Sequence, residues 1–298
     1  MRIVTYRTLQ RIEIGVLSQD GSRITPFDLA PARAEKGLLA VLEADQALLP
    51  LRSVDHPHRI GSVEVLAPIP RPRRNIICIG KNYYEHVQEI AARGFDTTGG
   101  GSEVPEAPIV FSKFPECVIG PGASIVHDPR VTTQLDYEAE LGVIIGRKGR
   151  AINIDDAMDH VWGYTIINDV TARDVQKAHK QWLLGKSQDT FCPMGPIAIT
   201  RDLLDLADTP IRLWVNDELR QDGNTRLMMF PVPALIAAIS AGITLYPGDV
   251  IATGTPAGVG AGFEPPRFLK AGDRVRIEIP PIGVLENTVE NWRKEMPR

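Results

Sequence analysis

Short apolar runs separated by turn residues recur along most of the chain, and their spacing predicts β-strands. Near the start, residues 12–17 and 24–27 flank Gln19-Asp20-Gly21-Ser22, a sequence that favours a β-hairpin. Similar patterns predict strands at 75–80, 109–111, 124–126, 136–145, 162–169, 197–200, 211–215, 249–252 and 274–279. Much of the chain is therefore expected to form β-sheet.

Apolar residues at helical spacing are clearest in four segments, at residues 37–47, 82–93, 171–180 and 232–241. Many short strands and few helices are typical of a barrel or roll of mixed sheets. We therefore predict an α+β fold that is mostly β.

A proline-rich, basic stretch, Ala67-Pro-Ile-Pro-Arg-Pro-Arg-Arg74, follows the first strands. Each proline removes a backbone donor and keeps the preceding residue out of the helical region, so an extended linker is expected. We predict a small N-terminal α+β domain over residues 1–70 and a main domain over residues 71–298. Residues 94–107 are polar and glycine-rich, and a loop of this length is usually functional or disordered.

Composition and charge exclude several classes of partner. The 298 residues are 43% apolar and 23% charged, with a net charge of −4, which gives no electrostatic reason to expect nucleic acid or an anionic membrane. The sequence shows no apolar stretch near the roughly 20 residues of a membrane span and no signal peptide. The cysteines Cys78, Cys117 and Cys192 are far apart, as expected of reduced core residues in a cytoplasmic protein.

Acidic residues stand next to two strongly apolar runs. Glu138 and Glu140 lead into one predicted strand, where residues two apart share a face, and Asp169 ends another. Buried carboxylates that share one site repel each other, and a hard divalent cation would remove that conflict. The alternative is that the acids are exposed at strand ends or pair with Arg173 and Lys186. From these residues alone, both interpretations stay open.

Several motifs in order resemble the fumarylacetoacetate hydrolase superfamily, over about residues 73–290. The match is closest to its shorter branch of acylpyruvate hydrolases and oxaloacetate decarboxylases. The motifs are Ile79-Gly-Lys-Asn-Tyr-Tyr-Glu-His-Val87, Asp136-Tyr-Glu-Ala-Glu-Leu141, Asn168-Asp-Val-Thr-Ala-Arg-Asp-Val-Gln176, Gly185-Lys-Ser187 with Cys192-Pro-Met-Gly-Pro196, and Gly248-Asp-Val-Ile-Ala-Thr-Gly-Thr-Pro-Ala-Gly-Val-Gly260.

The resemblance carries expectations about the metal and the assembly. It implies that Glu138, Glu140 and Asp169 bind one Mg²⁺ or Mn²⁺ per chain. It also implies a mixed β-roll for the main domain and a homodimer.

A candidate catalytic pair lies on the first predicted helix of the main domain. His86 and Glu89 are three residues apart and so share a face, where the carboxylate could orient the imidazole as a general base. The resemblance implies that this pair is the catalytic dyad on a lid helix, with residues 99–101 as a glycine hinge. The alternative is an incidental pair on a surface helix.

Two lysines and two helical residues are further candidates. Lys186 matches the active-site lysine of the family; the alternative for it is a solvated loop. Lys113 resembles a family position near the site and is a candidate substrate contact. Gln176 matches a substrate-contacting position. Arg173 is either a substrate contact or a structural partner of Asp174 or of a ligand carboxylate.

The glycine-rich segment Gly254-Thr-Pro-Ala-Gly-Val-Gly260 lacks the Gly-Lys-Ser/Thr ending of a phosphate loop. Its backbone N–H groups could still approach an anion, which makes Gly254 a candidate substrate contact. Thr255 matches a family position that binds the substrate carboxylate. The alternative is a tight turn.

These candidates together predict an enzyme that acts on a small 2-oxo or 1,3-diketo acid, through an enolate that the cation would stabilise. Our first expectation is a hydrolase that cleaves a C–C bond in an acylpyruvate or fumarylpyruvate. The alternative enzymes are an oxaloacetate-type decarboxylase and a hydrolase, dehydratase or isomerase of 2-keto-3-deoxy sugar acids. The non-enzymatic alternative is a small-ligand binder that retains the metal.

Overall fold

In the computed structural model we describe residues 1–44, 49–52, 57–96, 98 and 103–294. Strands predominate in this part of the chain, and helices are short. The strands are β1 (Arg2–Arg7), β2 (Ile12–Leu17), β3 (Arg23–Pro26), β4 (His58–Arg59), β5 (Glu64–Val65), β6 (Ile76–Gly80), β7 (Ile109–Lys113), β8 (Val118–Ile119), β9 (Ile125–His127), β10 (Leu135–Asp136), β11 (Ala139–Ile145), β12 (Val161–Asn168), β13 (Thr171–Ala172), β14 (Cys192–Thr200), β15 (Pro210–Val215), β16 (Glu218–Asn224), β17 (Val250–Ala252), β18 (Arg274–Ile279) and β19 (Gly283–Asn291). The α-helices are α1 (Pro31–Ala34), α2 (Leu38–Leu42), α3 (Tyr84–Ala92), α4 (Arg173–His179), α5 (Leu183–Lys186) and α6 (Val232–Ser240).

Most strands belong to one mixed sheet of twelve strands. Its order is β4-β3-β2-β1-β14-β12-β11-β17-β6-β7, with β5 paired to β1 and β8 paired to β14. A second sheet has the order β16-β15-β18-β19-β9, and β10 and β13 form a separate pair. The prediction of a mostly β fold with mixed sheets and few helices is confirmed.

The centre of the large sheet positions the acidic residues. Strands β11 and β12 are antiparallel, with Ala139 opposite Asn168 and Glu140 opposite Ile167. Every residue of both strands is buried, as their apolar, β-branched sequences require. The start of β11 therefore lies beside the end of β12, which brings the acids flanking these strands to the same edge.

The N-terminal strands are continuous with the rest of the fold. Strand β1 pairs with β14, with Ile3 opposite Ala198. In the core, Ile3 and Phe27 share one apolar cluster with Ile76 and Trp162. Residues 1–70 thus contribute strands to the large sheet, and the domain boundary near residue 70 stays a prediction.

The predicted strand over residues 136–145 is divided in two. Strand β10 ends at Asp136 and pairs with β13, whereas β11 begins at Ala139 and pairs with β12. Because Thr171 and Ala172 form β13, helix α4 begins at Arg173 and not at residue 171. Glu138 lies in the irregular link between the two strands, so the simple alternation of one strand does not set its direction.

Other predictions differ at element boundaries. The helix predicted over 37–47 ends at Leu42 among the described residues, and residues 45–47 lie outside them, as do residues 99–101 of the predicted hinge. Strands β1, β16 and β19 were not predicted, because their mixed polar sequences lack a continuous apolar run. Among the described helices, none has the length and apolar character needed to span a membrane.

Candidate active site

Three carboxylates meet at the edge where β11 begins and β12 ends. Glu140 lies in β11, Glu138 lies just before it, and Asp169 follows β12. The Asp169 N–H donates to the Glu138 carbonyl at 2.9 Å, which extends the pairing of the strands by one step. One carboxylate oxygen from each residue lies within 4.8 Å of the others, and all three side chains are buried. The structure thus brings the three predicted ligands together.

The charges around these carboxylates are unevenly balanced. Burial raises the pKa of Glu140 well above its usual range, and the negative charges of Asp169 and Glu138 raise it further. Burial also opposes ionisation of Glu138, but Lys186 and Arg173 outweigh it and lower the pKa of that carboxyl. Glu140 is therefore the carboxylate with the least compensation from neighbouring cations.

A hard divalent cation fits this set of donors. Three carboxylates can offer the oxygen ligands that such cations prefer. A cation among them would also relieve the repulsion that raises the pKa of Glu140. The interpretation of the acids as exposed is wrong. Pairing with Arg173 and Lys186 is confirmed for Glu138, and pairing with Lys186 for Asp169, and both accompany the candidate metal site.

Two lysines hold the acids from opposite sides. Lys186, at the end of α5, places its Nζ 2.7 Å from Glu138 Oε2 and 2.8 Å from Asp169 Oδ2. Lys113, at the end of β7, donates to Asp169 Oδ1 at 2.6 Å and to the Val170 carbonyl at 3.0 Å. Lys186 lines the cleft, whereas Lys113 is fully buried and does not line it. Lys113 is therefore a counter-ion of Asp169, and its contact with a substrate stays a prediction.

Arg173 is fixed by two carboxylates. Its Nε donates to Asp136 Oδ2 at 2.8 Å, and its Nη2 lies 2.6 Å from Glu138 Oε1. The structure thus places Arg173 beside a candidate ligand carboxylate and not in a pair with Asp174. Because Arg173 and Gln176 also line the cleft, a substrate contact by each stays a prediction.

The predicted dyad forms on helix α3. His86 Nδ1 lies 2.8 Å from Glu89 Oε1, and the His86 side chain lines the same cleft as Glu138 and Glu140. The Gly258 N–H donates to Glu89 at 2.9 Å, so the carboxylate is anchored on its far side. His86 is buried and Glu89 is largely covered, so the pair does not lie on an exposed helix face. With Nδ1 engaged, Nε2 is the ring nitrogen left for proton transfer.

The glycine-rich segment supplies its N–H groups to carboxylates of the protein. Gly254 N–H donates to Glu140 Oε2 at 2.9 Å, and Gly260 N–H donates to Asp136 Oδ1 at 2.7 Å. Gly254 has a φ of 95°, a conformation that suits glycine, and does not line the cleft. The Gly254 N–H therefore orients Glu140, and a substrate contact by Gly254 stays a prediction.

Thr255 lines the cleft and is held by two hydrogen bonds. Its Oγ1 donates to the Ala139 carbonyl at 2.9 Å and accepts from Gln221 Nε2 at 2.8 Å. Gln221 Oε1 in turn accepts from the Ala139 N–H at 2.9 Å. The structure thus ties Thr255 to the first residue of β11, and its contact with a substrate carboxylate stays a prediction.

The cleft above these residues contains about 430 Å³ of empty space that is continuous with solvent. Its walls combine aromatic and aliphatic side chains with charged ones. The lining residues are Ile79, Gly80, Lys81, His86, Ile90, Phe95, Asp96, Phe111, Glu138, Glu140, Arg173, Gln176, Trp182, Lys186 and Thr255.

Four residues of the site had no role assigned from the sequence. Asp136 and Gln221 support Arg173 and Thr255, and Lys81 and Asp96 line the cleft as an ion pair. Asp136 and Lys81 lie inside the motifs that resemble the family, and this position could have marked them as candidates. Gln221 and Asp96 carry no local signal, because their positions depend on contacts distant in sequence.

Comparison with known protein families and curated relatives gives a consistent result. The family model described as fumarylacetoacetate (FAA) hydrolase C-terminal matches residues 75–290. A protein of Bacillus subtilis (strain 168), named oxaloacetate tautomerase YisK, is 49% identical over 233 residues, which cover 78% of this chain and 75% of that protein. The human mitochondrial oxaloacetate tautomerase FAHD2A is 39% identical over 299 residues, which cover 97% of this chain and 91% of that protein.

Solved structures show the same architecture over nearly the whole chain. Fumarylacetoacetate hydrolase from Exiguobacterium antarcticum has a TM-score of 0.79 and 41% identity, covering 98% of this chain and all of that one. A 5-carboxymethyl-2-hydroxymuconate delta-isomerase from Mycobacterium smegmatis has a TM-score of 0.77 and 31% identity, with the same coverage.

Proposed function

The chain belongs to the fumarylacetoacetate hydrolase family, and from this premise we propose that it interconverts the keto and enol forms of a 2-oxo acid of the oxaloacetate type. The names of the relatives favour the alternative of an oxaloacetate-type enzyme on the same site over our first expectation of a C–C bond hydrolase. The observation that carries the proposal is the position of His86, backed by Glu89, in the cleft that contains the acidic residues and Lys186.

The reaction needs only the movement of protons. In the enol form, the oxygen on C2 carries a proton and a double bond joins C2 to C3. Ketonisation removes the proton from that oxygen and adds a proton to C3, so no other atom enters or leaves. A buried acid–base pair and a cation for the oxygen are sufficient for this chemistry.

The His86–Glu89 pair is suited to the proton at C3. Glu89 accepts the Nδ1 proton of His86, which directs Nε2 toward the substrate and stabilises the imidazolium when it forms. Because the Gly258 N–H fixes Glu89, the imidazole keeps one orientation during the transfer. The pair can give a proton to C3 in one direction and take it back in the other.

The other end of the cleft is suited to the oxygens of the 2-oxo acid. A divalent cation held by Glu138, Glu140 and Asp169, which we propose to be Mg²⁺ or Mn²⁺, would supply Lewis-acid stabilisation of negative charge on the C2 oxygen. The Lys186 ammonium supports the same charge from the protein side. Phe111 and Trp182 pack edge to face in the cleft wall and limit access of water to C3.

The direct test follows the keto–enol conversion of oxaloacetate by ultraviolet absorbance, with Mg²⁺ or Mn²⁺ and with a chelator. We expect purified protein to accelerate the conversion, and His86→Gln to slow it by about 10²–10⁴-fold, as loss of a general acid–base does. Mn²⁺ affinity should stay within about two-fold in this variant, since His86 is not one of the proposed ligands.

The same assay separates the competing functions. Pyruvate release from oxaloacetate would indicate decarboxylation, and loss of acetylpyruvate would indicate the hydrolase. Absence of any turnover, with intact binding of Mn²⁺, would support the metal-retaining binder and contradict the proposal.

A further inference from the structure

Lys81 is a cation of the cleft that has a partner outside the acidic cluster. Arg173 and Lys186, which also line the cleft, pair with Glu138. Lys81 Nζ instead lies 2.8 Å from Asp96 Oδ1, and the two side chains are only 6% and 9% exposed. The cleft therefore contains a second charged pair whose members do not contribute to the candidate metal site.

Asp96 is held as an ionised carboxylate. Burial opposes its ionisation, but the pair with Lys81 and the contacts with Thr98 outweigh burial and lower the pKa of Asp96. Its Oδ1 accepts from Thr98 N at 2.9 Å and from Thr98 Oγ1 at 2.8 Å, in addition to Lys81. The anion opposite Lys81 is thus a carboxylate, the same group that terminates a dicarboxylic substrate.

The backbone at Lys81 is unusual and firmly held. Its φ is 55°, in the left-handed region, which is unfavourable for a residue with a Cβ. The next residue, Asn82, is fully buried and donates to the Thr253 carbonyl at 2.8 Å and accepts from the Phe230 N–H at 2.8 Å. This frame holds the lysine at the cleft in a conformation that glycine would adopt more easily.

We propose that Lys81 selects substrates with a second carboxylate, and that Asp96 occupies its ammonium until that carboxylate arrives. The inference rests on the proposed function, since it requires the 2-oxo acid end to lie at the acidic cluster. One carboxylate replaces another at Lys81, so the charge around its ammonium stays balanced. A buried ammonium needs a counter-ion both before and after the substrate binds.

The test compares two substrates that differ at one end. Oxaloacetate carries the second carboxylate, and 2-oxobutyrate has a methyl group in its place. We expect Lys81→Gln to raise KM for oxaloacetate by about ten-fold or more, as loss of a hydrogen bond to a charged group does, and to leave the inhibition constant of 2-oxobutyrate within about two-fold. Lys81→Arg should recover part of the affinity for oxaloacetate.

A second variant and a matched control complete the design. Asp96→Asn should lower KM for oxaloacetate, because the internal competitor is weakened, whereas a purely structural pair would give the opposite change. Lys180 is an exposed lysine with a φ of 56° outside the cleft, and Lys180→Gln should alter neither constant.

The outcomes distinguish failure of the Lys81 role from failure of the proposed function. If the wild-type protein converts oxaloacetate but Lys81→Gln changes both constants equally or neither, the role of Lys81 is refuted and the proposed function stands. If Lys81→Gln does not fold, a raised KM in Asp96→Asn refutes the role. If the wild-type protein does not act on oxaloacetate, the proposed function fails, and the role of Lys81 fails with it.

Discussion

Glu138 and Glu140 are two residues apart, yet their surroundings act on them in opposite directions. Glu138 contacts Lys186 and Arg173, while Glu140 accepts only the Gly254 N–H among the hydrogen bonds described for its side chain. At neutral pH the charge of Glu138 therefore contributes to the stability of the fold. The charge of Glu140 opposes stability, because its pKa is raised by burial and by its acidic neighbours.

Neutral replacements should separate these effects. We expect Glu138→Gln to destabilise the metal-free protein by about 3–5 kcal/mol, since it leaves buried cations uncompensated. Glu140→Gln should leave the metal-free stability unchanged or increase it, because the amide oxygen can still accept from Gly254. Urea denaturation at pH 7 in a chelator measures both. Equal destabilisation by the two substitutions would contradict this assignment of charges.

Metal titration of the same proteins gives the complementary result. Both substitutions should weaken Mn²⁺ binding, because each removes a ligand carboxylate. Glu140→Gln is then expected to be a stable protein with a defective site. Calorimetric titration checks this, and unchanged affinity in both variants would exclude the acidic cluster as the metal site.

At the scale of single residues, the acidic residues and the His86–Glu89 pair could be predicted from the sequence. The side chains and backbone groups that hold them in place could not. The spacing of Glu138 and Glu140, and of His86 and Glu89, is local and readable from the sequence. The roles of Lys113 and Gly254 depended on which groups lie behind them in space. Lys113 points to Asp169, which is 56 positions away in the chain, and no local pattern encodes that contact.

Among the elements, the short helical turn Gly260–Gly262, which ends two residues after the glycine-rich segment, has the clearest testable consequence. A Cβ at Gly262 would lie 2.2 Å from Glu89 Oε2, so any side chain there must move the carboxylate that orients His86. We expect Gly262→Ala to lower kcat by about ten-fold through misorientation of the base, with a stability change below about 1 kcal/mol, since Glu89 is flexible at its end.

Gly61 provides the matched control for that variant. A Cβ at Gly61 meets no atom within 4 Å, so Gly61→Ala should leave kcat unchanged. Turnover and thermal melting of the two variants distinguish a specific displacement of Glu89 from a general effect of alanine. A Gly262→Ala protein with full activity would show that Glu89 does not need its present position.

Strands β1 and β2 carry a buried acid whose effect depends on pH. Burial alone would raise the pKa of Glu13, but hydrogen bonds from Arg52 and Arg11 outweigh it and lower the pKa below 4.5. A lowered pKa contributes stability above the unfolded value, and this contribution is lost as pH falls through the folded value.

Replacement of Glu13 should therefore reduce acid sensitivity. At pH 7, Glu13→Gln is expected to be less stable by about 2 kcal/mol, the scale of a hydrogen bond to a charged group. As the pH falls from the usual pKa of a glutamate through the lowered pKa of folded Glu13, the difference should shrink and then be lost, because the wild-type carboxylate becomes protonated. Melting temperatures across this range test the trend, with the exposed Glu35→Gln as control. A difference that does not depend on pH would contradict it.

Strands with a clear pattern of apolar residues were predicted more accurately than strands without one. Strands β2 and β18 match the prediction residue for residue, because each contains closely spaced apolar residues and ends at turn residues. The division between β10 and β11 was missed, since the sequence stays strand-like while the pairing partner changes. Boundaries of this kind are set by tertiary contacts, which local propensity does not include.

For the whole molecule, the join between β1 and β14 decides whether the predicted domains are independent. Deletion of residues 1–70 would expose the edge of β14 and remove Ile3, Phe27 and Leu38 from a shared core cluster. We expect the remaining chain to aggregate or to lose cooperative unfolding, because exposed strand edges promote association. A soluble, cooperatively folded fragment with normal activity would instead support an independent catalytic domain.

The mixed-sheet architecture could be predicted from the sequence, but the joining of the N-terminal strands to the large sheet could not. Many short strands with few helices indicated mixed sheets, whereas the pairing of the first strand with one near residue 200 has no local signature. The predicted homodimer and cytoplasmic location stay predictions, and size measurement in solution tests the first of them.

The glycine-rich segment has a wider consequence. Its main-chain N–H groups reach Glu140, Glu89 and Asp136, so one stretch of backbone aligns the candidate metal ligands, the acid–base pair and the support of Arg173. No hydrogen bond described for these N–H groups reaches Asp96, which pairs with Lys81 in the same cleft. Reactivity and selectivity can therefore diverge separately in such a framework, which would let relatives with one shared core transform quite different acids.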